Sequence, residues 1–144
     1  MKSRQLAFAS LALYAVSWCV PVALTTGELL HGPIYGWQAF LFGMSPVFGL
    51  EADGFFIGAW MVIGSVSNLW LLGVLFRVWR GTLKRPDVLG WIAMLIAMLN
   101  TGWLLMPEAA RDLRVGYYFW IGAFWLAAAA TMRFARERAA PAVG

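Results

Sequence analysis

Charged residues are the scarcest class in this sequence. Only 12% of its 144 residues are Asp, Glu, Lys or Arg, whereas 62% are hydrophobic. A soluble domain usually carries about 25% charged and 45–50% apolar residues. A chain of this length could not enclose so much apolar surface in a soluble core. We therefore predict a single integral membrane domain over residues 1–144, with no room for a separate soluble enzyme module.

Cysteine and histidine are nearly absent. A single cysteine, Cys19, excludes an intramolecular disulfide, a Cys-x-x-Cys redox pair and a thiolate cluster. A single histidine, His31, excludes a bis-histidine haem site within one chain. The spacing around His31 fits no metal motif such as His-Glu-x-x-His. The sequence therefore predicts neither a cofactor nor a metal.

Charge is also scarce in four apolar runs, which cover residues 6–24, 55–76, 88–106 and 117–134 and contain one charged residue, Arg133 at the end of the fourth. A helix of 19 residues is about 28 Å long, enough for a hydrocarbon core of about 30 Å. Proton relays, ion-coupled transporters and voltage sensors need ionisable groups at membrane depth, so these functions are disfavoured. We predict an all-α fold, a four-helix transmembrane bundle with an interfacial amphipathic element in segment 25–54, between spans one and two.

The first run admits a second interpretation. Its basic start and the sequence Ala15-Val16-Ser17 also suit signal-peptide cleavage before Trp18, which would remove residues 1–17. The apolar run continues for seven residues past Ser17, which favours an uncleaved span. Pro21 removes a backbone donor late in this span and predicts a kink near its outer end.

Basic residues flank the apolar runs and do not cluster on one face, which argues against nucleic-acid binding. With both termini and the connector 77–87 on one side, that side has nine basic and two acidic residues, a net charge of +7. The other side has two basic and five acidic residues, a net charge of −3. The positive-inside rule places the +7 side in the cytoplasm. We predict a multi-pass protein of the bacterial inner (cytoplasmic) membrane, with both termini cytoplasmic.

Segment 25–54 then lies on the outer face. It is too apolar for a solvated loop, and glycine and proline break it before any run reaches the length of a span. Pro33 suits a helix start and Gly43 a helix stop, which predicts a short helix over 34–42, either flat at the interface or re-entrant. Aromatic and polar residues of the segment form a candidate outer-face binding surface: Glu28, His31, Trp37, Phe40, Phe48, Glu51 and Asp53.

Three polar residues inside the spans, Ser17, Asn68 and Asn100, are predicted to be buried between helices. Counted along the spans, Asn68 lies about 12 Å and Asn100 about 18 Å above the inner boundary, roughly one helical turn apart. We predict a hydrogen bond between these two side chains, worth about 0.6 kcal/mol and at most about 2 kcal/mol. The alternative role is a polar pocket for a ligand.

Four short patterns follow one another along the chain. They are Ser17…Pro21, Gly36-Trp37-Gln38-Ala39-Phe40-Leu41-Phe42-Gly43, Trp60…Ser67-Asn68 and Gly116-Tyr117-Tyr118-Phe119-Trp120-Ile121. This order resembles a group of uncharacterised four-span bacterial inner-membrane proteins. The resemblance implies the fold and the location but no activity. Members of that group often have Ala-Asn-Pro where this chain has Val66-Ser67-Asn68-Leu69, so the proline of span two is missing here.

Three kinds of function fit these observations. The absence of buried charge beside an aromatic outer segment favours a non-enzymatic interaction protein, either an accessory subunit or an immunity-type protein that binds a toxin. Its partners would be membrane lipids and a protein or further copies of the chain, with no nucleic acid. The first alternative is a small carrier or channel subunit for an apolar or lipid-like molecule, which a bundle packed shut would exclude. The second is a membrane enzyme using His31 and nearby carboxylates.

Overall fold

The computed structural model of the chain describes residues 2–26, 31–48 and 55–139. Its elements in chain order are α1 Ser3–Cys19, β1 Pro21–Thr26, β2 His31–Tyr35, α2 Gly36–Met44, a 3-10 turn Ser45–Phe48, α3 Phe55–Arg80, α4 Pro86–Thr101, a 3-10 turn Gly102–Leu105, α5 Pro107–Asp112 and α6 Val115–Ala139. Within these described ranges, three stretches are long and apolar enough to cross a membrane: Phe55–Arg80, Pro86–Leu105 and Val115–Ala139. The predicted helical membrane architecture is confirmed to that extent.

The first apolar run departs from the prediction. Helix α1 ends at Cys19, and β1 pairs antiparallel with β2 as a two-stranded hairpin. Proline cannot donate a backbone hydrogen bond and holds the residue before it in an extended conformation, which Val20 adopts with φ −117° and ψ 156°. Pro21 therefore ends the helix, and the predicted kink within a span over 6–24 is wrong. The predicted all-α fold is corrected by the presence of this hairpin.

The predicted short helix over 34–42 exists with shifted ends. Pro33 and Ile34 belong to strand β2, and α2 begins at Gly36. Pro33 is therefore not the helix start, and α2 continues past Gly43 to Met44. Glycine is required at position 36 by a close approach: a Cβ there would lie 2.5 Å from the carbonyl oxygen of Ser17. The hairpin and α2 together, residues 21–26 and 31–44, are called the cap below.

Helix α6 lies at the centre of the bundle and contacts α1, α3 and α4. Small side chains allow α1 and α6 to approach closely. The buried residues of α1 follow one face of that helix: Ser3, Ala7, Ser10, Tyr14 and Ser17. They meet an alanine-rich face of α6 on which Ala123, Ala127 and Thr131 are buried, as their spacing predicts. The Ser10 hydroxyl donates to the Ala123 carbonyl across this contact at 2.7 Å.

Polar contacts gather at the end of the bundle opposite the cap, called the terminal end below. The backbone amide and the hydroxyl of Ser3 donate to the Glu137 carboxylate at 3.0 and 2.6 Å. The Arg138 guanidinium donates to the carbonyls of Leu83 and Gly81. Gly81 has φ +70°, and it ends α3 in a motif in which the Thr82 amide donates to the Arg77 carbonyl. The start of α1, the end of α6 and the α3–α4 connector therefore lie together.

Candidate functional site

A cavity of about 610 Å³ lies beneath the cap, between the cap-side halves of α1, α3 and α6, and it is partly open to the surface. Its lining is mostly apolar. The aromatic members are Trp18, Phe40, Phe42, Trp103, Tyr117 and Trp120, and the polar ones besides Tyr117 are Ser65, Asn68 and Asp112. Ligand sites typically measure about 300–1,000 Å³ and combine apolar walls with a few polar groups. The cavity has the size and lining of a small-molecule site.

The wall formed by α2 is fixed by close backbone contacts. Gly43 is buried against α3, where a Cβ would overlap the Ser65 hydroxyl. That hydroxyl donates to the Phe40 carbonyl at 3.3 Å. The Phe40 ring packs on Trp18 of α1 with 5.9 Å between ring centroids. Helix α2 is therefore held across α1 and α3 and covers the cavity.

The opposite wall joins the hairpin to the segment between α5 and α6. Ala23 of β1 pairs with Leu113, and the Arg114 amide donates to the Val22 carbonyl at 2.9 Å. These contacts place Leu113 and Asp112 among the lining residues. From the sequence alone, residues 107–116 read as a charged connector, and no local pattern predicts that they pair with a strand near residue 23. Asp112 was missed for this reason.

Asn68 forms the polar floor of the cavity. Its side-chain amide nitrogen donates to the carbonyls of Gly64 and Ser65, at 3.0 and 3.2 Å, within its own helix. Its Oδ1 accepts a hydrogen bond of 2.7 Å from the Trp120 indole of α6. The Asn68 side chain is thus buried, satisfied and held in one orientation by both helices.

Asn100 lies next to this floor and joins three helices. Its side-chain nitrogen donates to the Ser67 hydroxyl at 3.1 Å, and its backbone carbonyl accepts from the Tyr117 hydroxyl. The predicted bond between Asn68 and Asn100 is replaced by two separate interhelical bonds. Adjacent helical residues point about 100° apart, since a helix has 3.6 residues per turn. Ser67 therefore faces α4, while Asn68 faces α6.

Ser17 is buried as predicted for its position, but its hydroxyl donates to the Tyr14 carbonyl of its own helix at 2.6 Å. It therefore makes no hydrogen bond to another helix through its side chain. Its contribution to packing comes from the backbone, because its carbonyl oxygen is the atom against which Gly36 rests.

The predicted outer-face surface does not form one site among the residues that the structure describes. Phe40 lines the cavity, whereas Trp37 and Phe48 are 48% and 77% exposed and lie outside its lining. The backbone of His31 pairs with Thr26 in the hairpin. Three members of the surface lie outside the described residues: Glu28, Glu51 and Asp53. Within the described ranges, no group of three or more His, Cys, Asp or Glu residues could hold a metal ion.

The hydrogen bond between Trp120 and Asn68 can be tested by removing its donor. Trp120→Phe deletes the indole N–H and leaves Asn68 Oδ1 without the partner described above. We expect the free energy of unfolding to fall by about 0.6–2 kcal/mol. The measurement is equilibrium unfolding of the full chain in mixed micelles of mild detergent and dodecyl sulfate.

Trp125→Phe is the matched control for that variant, since it removes the same group. Its indole donates to the Thr101 hydroxyl at 3.1 Å, but at an exposed position. A smaller loss is expected, because the Thr101 hydroxyl keeps its hydrogen bond to the Ala97 carbonyl at 2.7 Å. Equal losses for the two variants would contradict a special role for the Asn68 bond.

No family model matches this chain, and neither a curated protein nor a solved structure does. The cavity and its surroundings are therefore the basis for assigning a function.

Proposed function

We propose that this chain is a four-span membrane protein that binds a small apolar or amphipathic molecule in the cavity beneath its cap. The observation that carries the proposal is the cavity itself, about 610 Å³ in volume and walled by aromatic side chains. It favours the lipid-like ligand among the functions that the sequence left open. The role is binding, as in a carrier or a ligand-sensing subunit.

The four-span topology is supported by the ends of the chain. Helix α1 has 17 residues and a length of about 26 Å, near the lower limit for a span. It starts beside the end of α6 at the terminal end and reaches the cap, so it joins the same two ends of the bundle as α6. The start of α1, the end of α6 and the basic α3–α4 connector share one end, which the positive-inside rule would place in the cytoplasm.

The half of the bundle towards the terminal end supports ligand binding over conduction through a channel. Buried side chains fill the core towards the terminal end, among them Leu75, Val78, Ala127, Ala130 and Phe134. A channel needs a continuous path, whereas a binding protein needs a cavity closed at its far end. The cavity is partly open to the surface, which allows a ligand to enter.

The interaction function predicted from the sequence stays a second candidate. Trp37, Leu41 and Phe48 of the cap and its following turn are exposed. Such a surface suits contact with lipid headgroups or a protein partner. The enzymatic alternative depends on His31 and the nearby carboxylates, and it stays a prediction.

The binding proposal is tested by filling the cavity. Ala39 of α2 and Met61 of α3 line it from facing walls. A tryptophan at either position should weaken ligand binding by about tenfold or more, since overfilling a packed site costs about 1–3 kcal/mol. The probe is an uncharged aryl trifluoromethyldiazirine carrying a neopentyl group, applied to the full chain in lipid nanodiscs. Saturable photolabelling of peptides that line the cavity is quantified by mass spectrometry.

Leu95→Trp is the control, because Leu95 is exposed on α4 and lies outside the lining. It should leave the half-saturating probe concentration unchanged. Labelling that never saturates, or that spreads evenly over the exposed helix faces in the unsubstituted chain, would refute the proposed binding function.

A further inference from the structure

The described lining of the cavity carries charge of one sign. Among the residues that the structure describes, Asp112 is the only charged one that lines it. No lysine or arginine occurs in the sequence between residues 5 and 76, which includes α1 beyond its first turn and the whole cap. Arg111 next to Asp112 is exposed, and the Arg114 guanidinium donates to the carbonyls of Arg111 and Leu113; neither arginine is part of the lining. The formal charge that the described lining contributes is therefore negative.

The Asp112 carboxylate is available to a ligand. Among the residues that the structure describes, it makes no ion pair and accepts no side-chain hydrogen bond. It is the last residue of α5, where the carbonyl ends of the helix carry partial negative charge. Because the backbone of Leu113 and Arg114 is bonded to β1, the position of Asp112 in the lining is fixed. A negative charge placed there attracts a cation and repels a carboxylate or phosphate.

The aromatic walls favour the same kind of ligand. An aromatic face carries negative charge density and attracts a cation within about 6 Å of the ring centroid, most strongly when the ring is tryptophan. Trp18, Trp103 and Trp120 all line the cavity. Aromatic enclosures of this type recognise quaternary ammonium groups. The same rings provide apolar area for the rest of the ligand.

We propose that the ligand of this cavity is an organic cation, with an ammonium group beside Asp112 and an apolar body against the aromatic walls. This inference rests on the proposed binding function. It separates amines and quaternary ammonium amphiphiles, which the cavity would take, from fatty acids and anionic lipids, which it would reject.

Two photoprobes test the inference, alike in shape and different in charge. One is the neutral neopentyl diazirine described above. The other carries a trimethylammoniomethyl group in place of the neopentyl group, so that a positively charged nitrogen replaces one quaternary carbon. In the full chain in uncharged lipid nanodiscs, the cation should half-saturate the cavity peptides at a concentration about tenfold lower than the neutral probe, after correction for partition into the lipid.

Substitutions at Asp112 test whether its carboxylate causes the preference for the cationic probe. Asp112→Asn should remove most of the tenfold preference and leave binding of the neutral probe unchanged, whereas Asp112→Glu should keep the preference. Asp87→Asn is the matched control, because Asp87 begins α4 at the opposite end of the bundle. The Asp87→Asn variant should prefer the cationic probe over the neutral probe as strongly as the unsubstituted chain does.

The outcomes separate the two proposals. Saturable labelling of the cavity by the neutral probe with no preference for the cation would overturn the present inference and leave the binding function standing. A preference that survives Asp112→Asn would also overturn it. Failure of both probes to label the cavity would end both proposals.

Discussion

Phe124→Ala is expected to lower the free energy of unfolding by about 3–5 kcal/mol, the largest effect of any single substitution considered for this chain. Phe124 is 1% exposed and lies in the buried core. Alanine leaves a void there, because the neighbouring helices are held by other contacts and cannot close on it. In a membrane this loss of van der Waals packing lowers the free energy of unfolding directly, because packing between helices stabilises the bundle.

The same substitution also affects the cavity, through the contact of Phe124 with Trp120. The Phe124 ring packs edge-on against Trp120 with 5.4 Å between centroids, and Trp120 holds Asn68 in the floor. Equilibrium unfolding in mixed micelles measures the stability. Phe8→Ala removes an equal side chain at a position of α1 that is 75% exposed, and it should cost far less. Similar losses at both positions would show that Phe124 is not part of a packed core.

Gly116→Ala is expected to lower the free energy of unfolding by about 1–3 kcal/mol. A Cβ at this position would lie 2.6 Å from the Pro21 carbonyl oxygen and 2.9 Å from that of Val20. Both neighbours are backbone atoms, so no side-chain rotation relieves the overlap. The start of α6 would have to move away from the junction of α1 and β1, and Tyr117 would move with it.

The control for Gly116→Ala is the same substitution at Gly73 of α3. Nothing lies within 4 Å of a Cβ built there. Alanine is the better helix former, so this variant should be as stable as the unsubstituted chain or more stable, by up to about 1 kcal/mol. Opposite signs for the two variants in the same unfolding assay are the expected result. A gain at both positions would mean that helix propensity, and not the close approach, decides the effect.

The sequence predicts the long helices well and the contacts between elements poorly. Helices α3, α4 and α6 follow from long apolar runs whose charged residues lie only towards their ends, because hydropathy alone requires such runs to be helical in a membrane. The end of α1 was missed because a proline late in an apolar run is compatible with either a kink or a stop. The pairing of β1 with β2 decides between them, and that pairing depends on residues on both sides of segment 27–30.

The site depends still more on contacts between distant parts of the chain. Counting along a helix gives the height of Asn68 and Asn100 but not the direction in which each points, so their separate partners, Trp120 and Ser67, could not be foreseen. The cavity was not foreseen either. It exists because the connector around Leu113 bonds to β1, a contact between segments about ninety residues apart in the sequence.

The pairing of α1 with α6 has a consequence for the order of assembly. The Ser10 hydroxyl and the Ala123 carbonyl that it reaches are separated by 113 positions. During synthesis from the N-terminus, α1 is made long before α6, and its face of Ser3, Ser10 and Ser17 lacks its final partner until α6 is complete. Contacts between such distant segments form late and slow the folding of a chain. The cavity, which needs both helices, is therefore completed only after the last helix has been made.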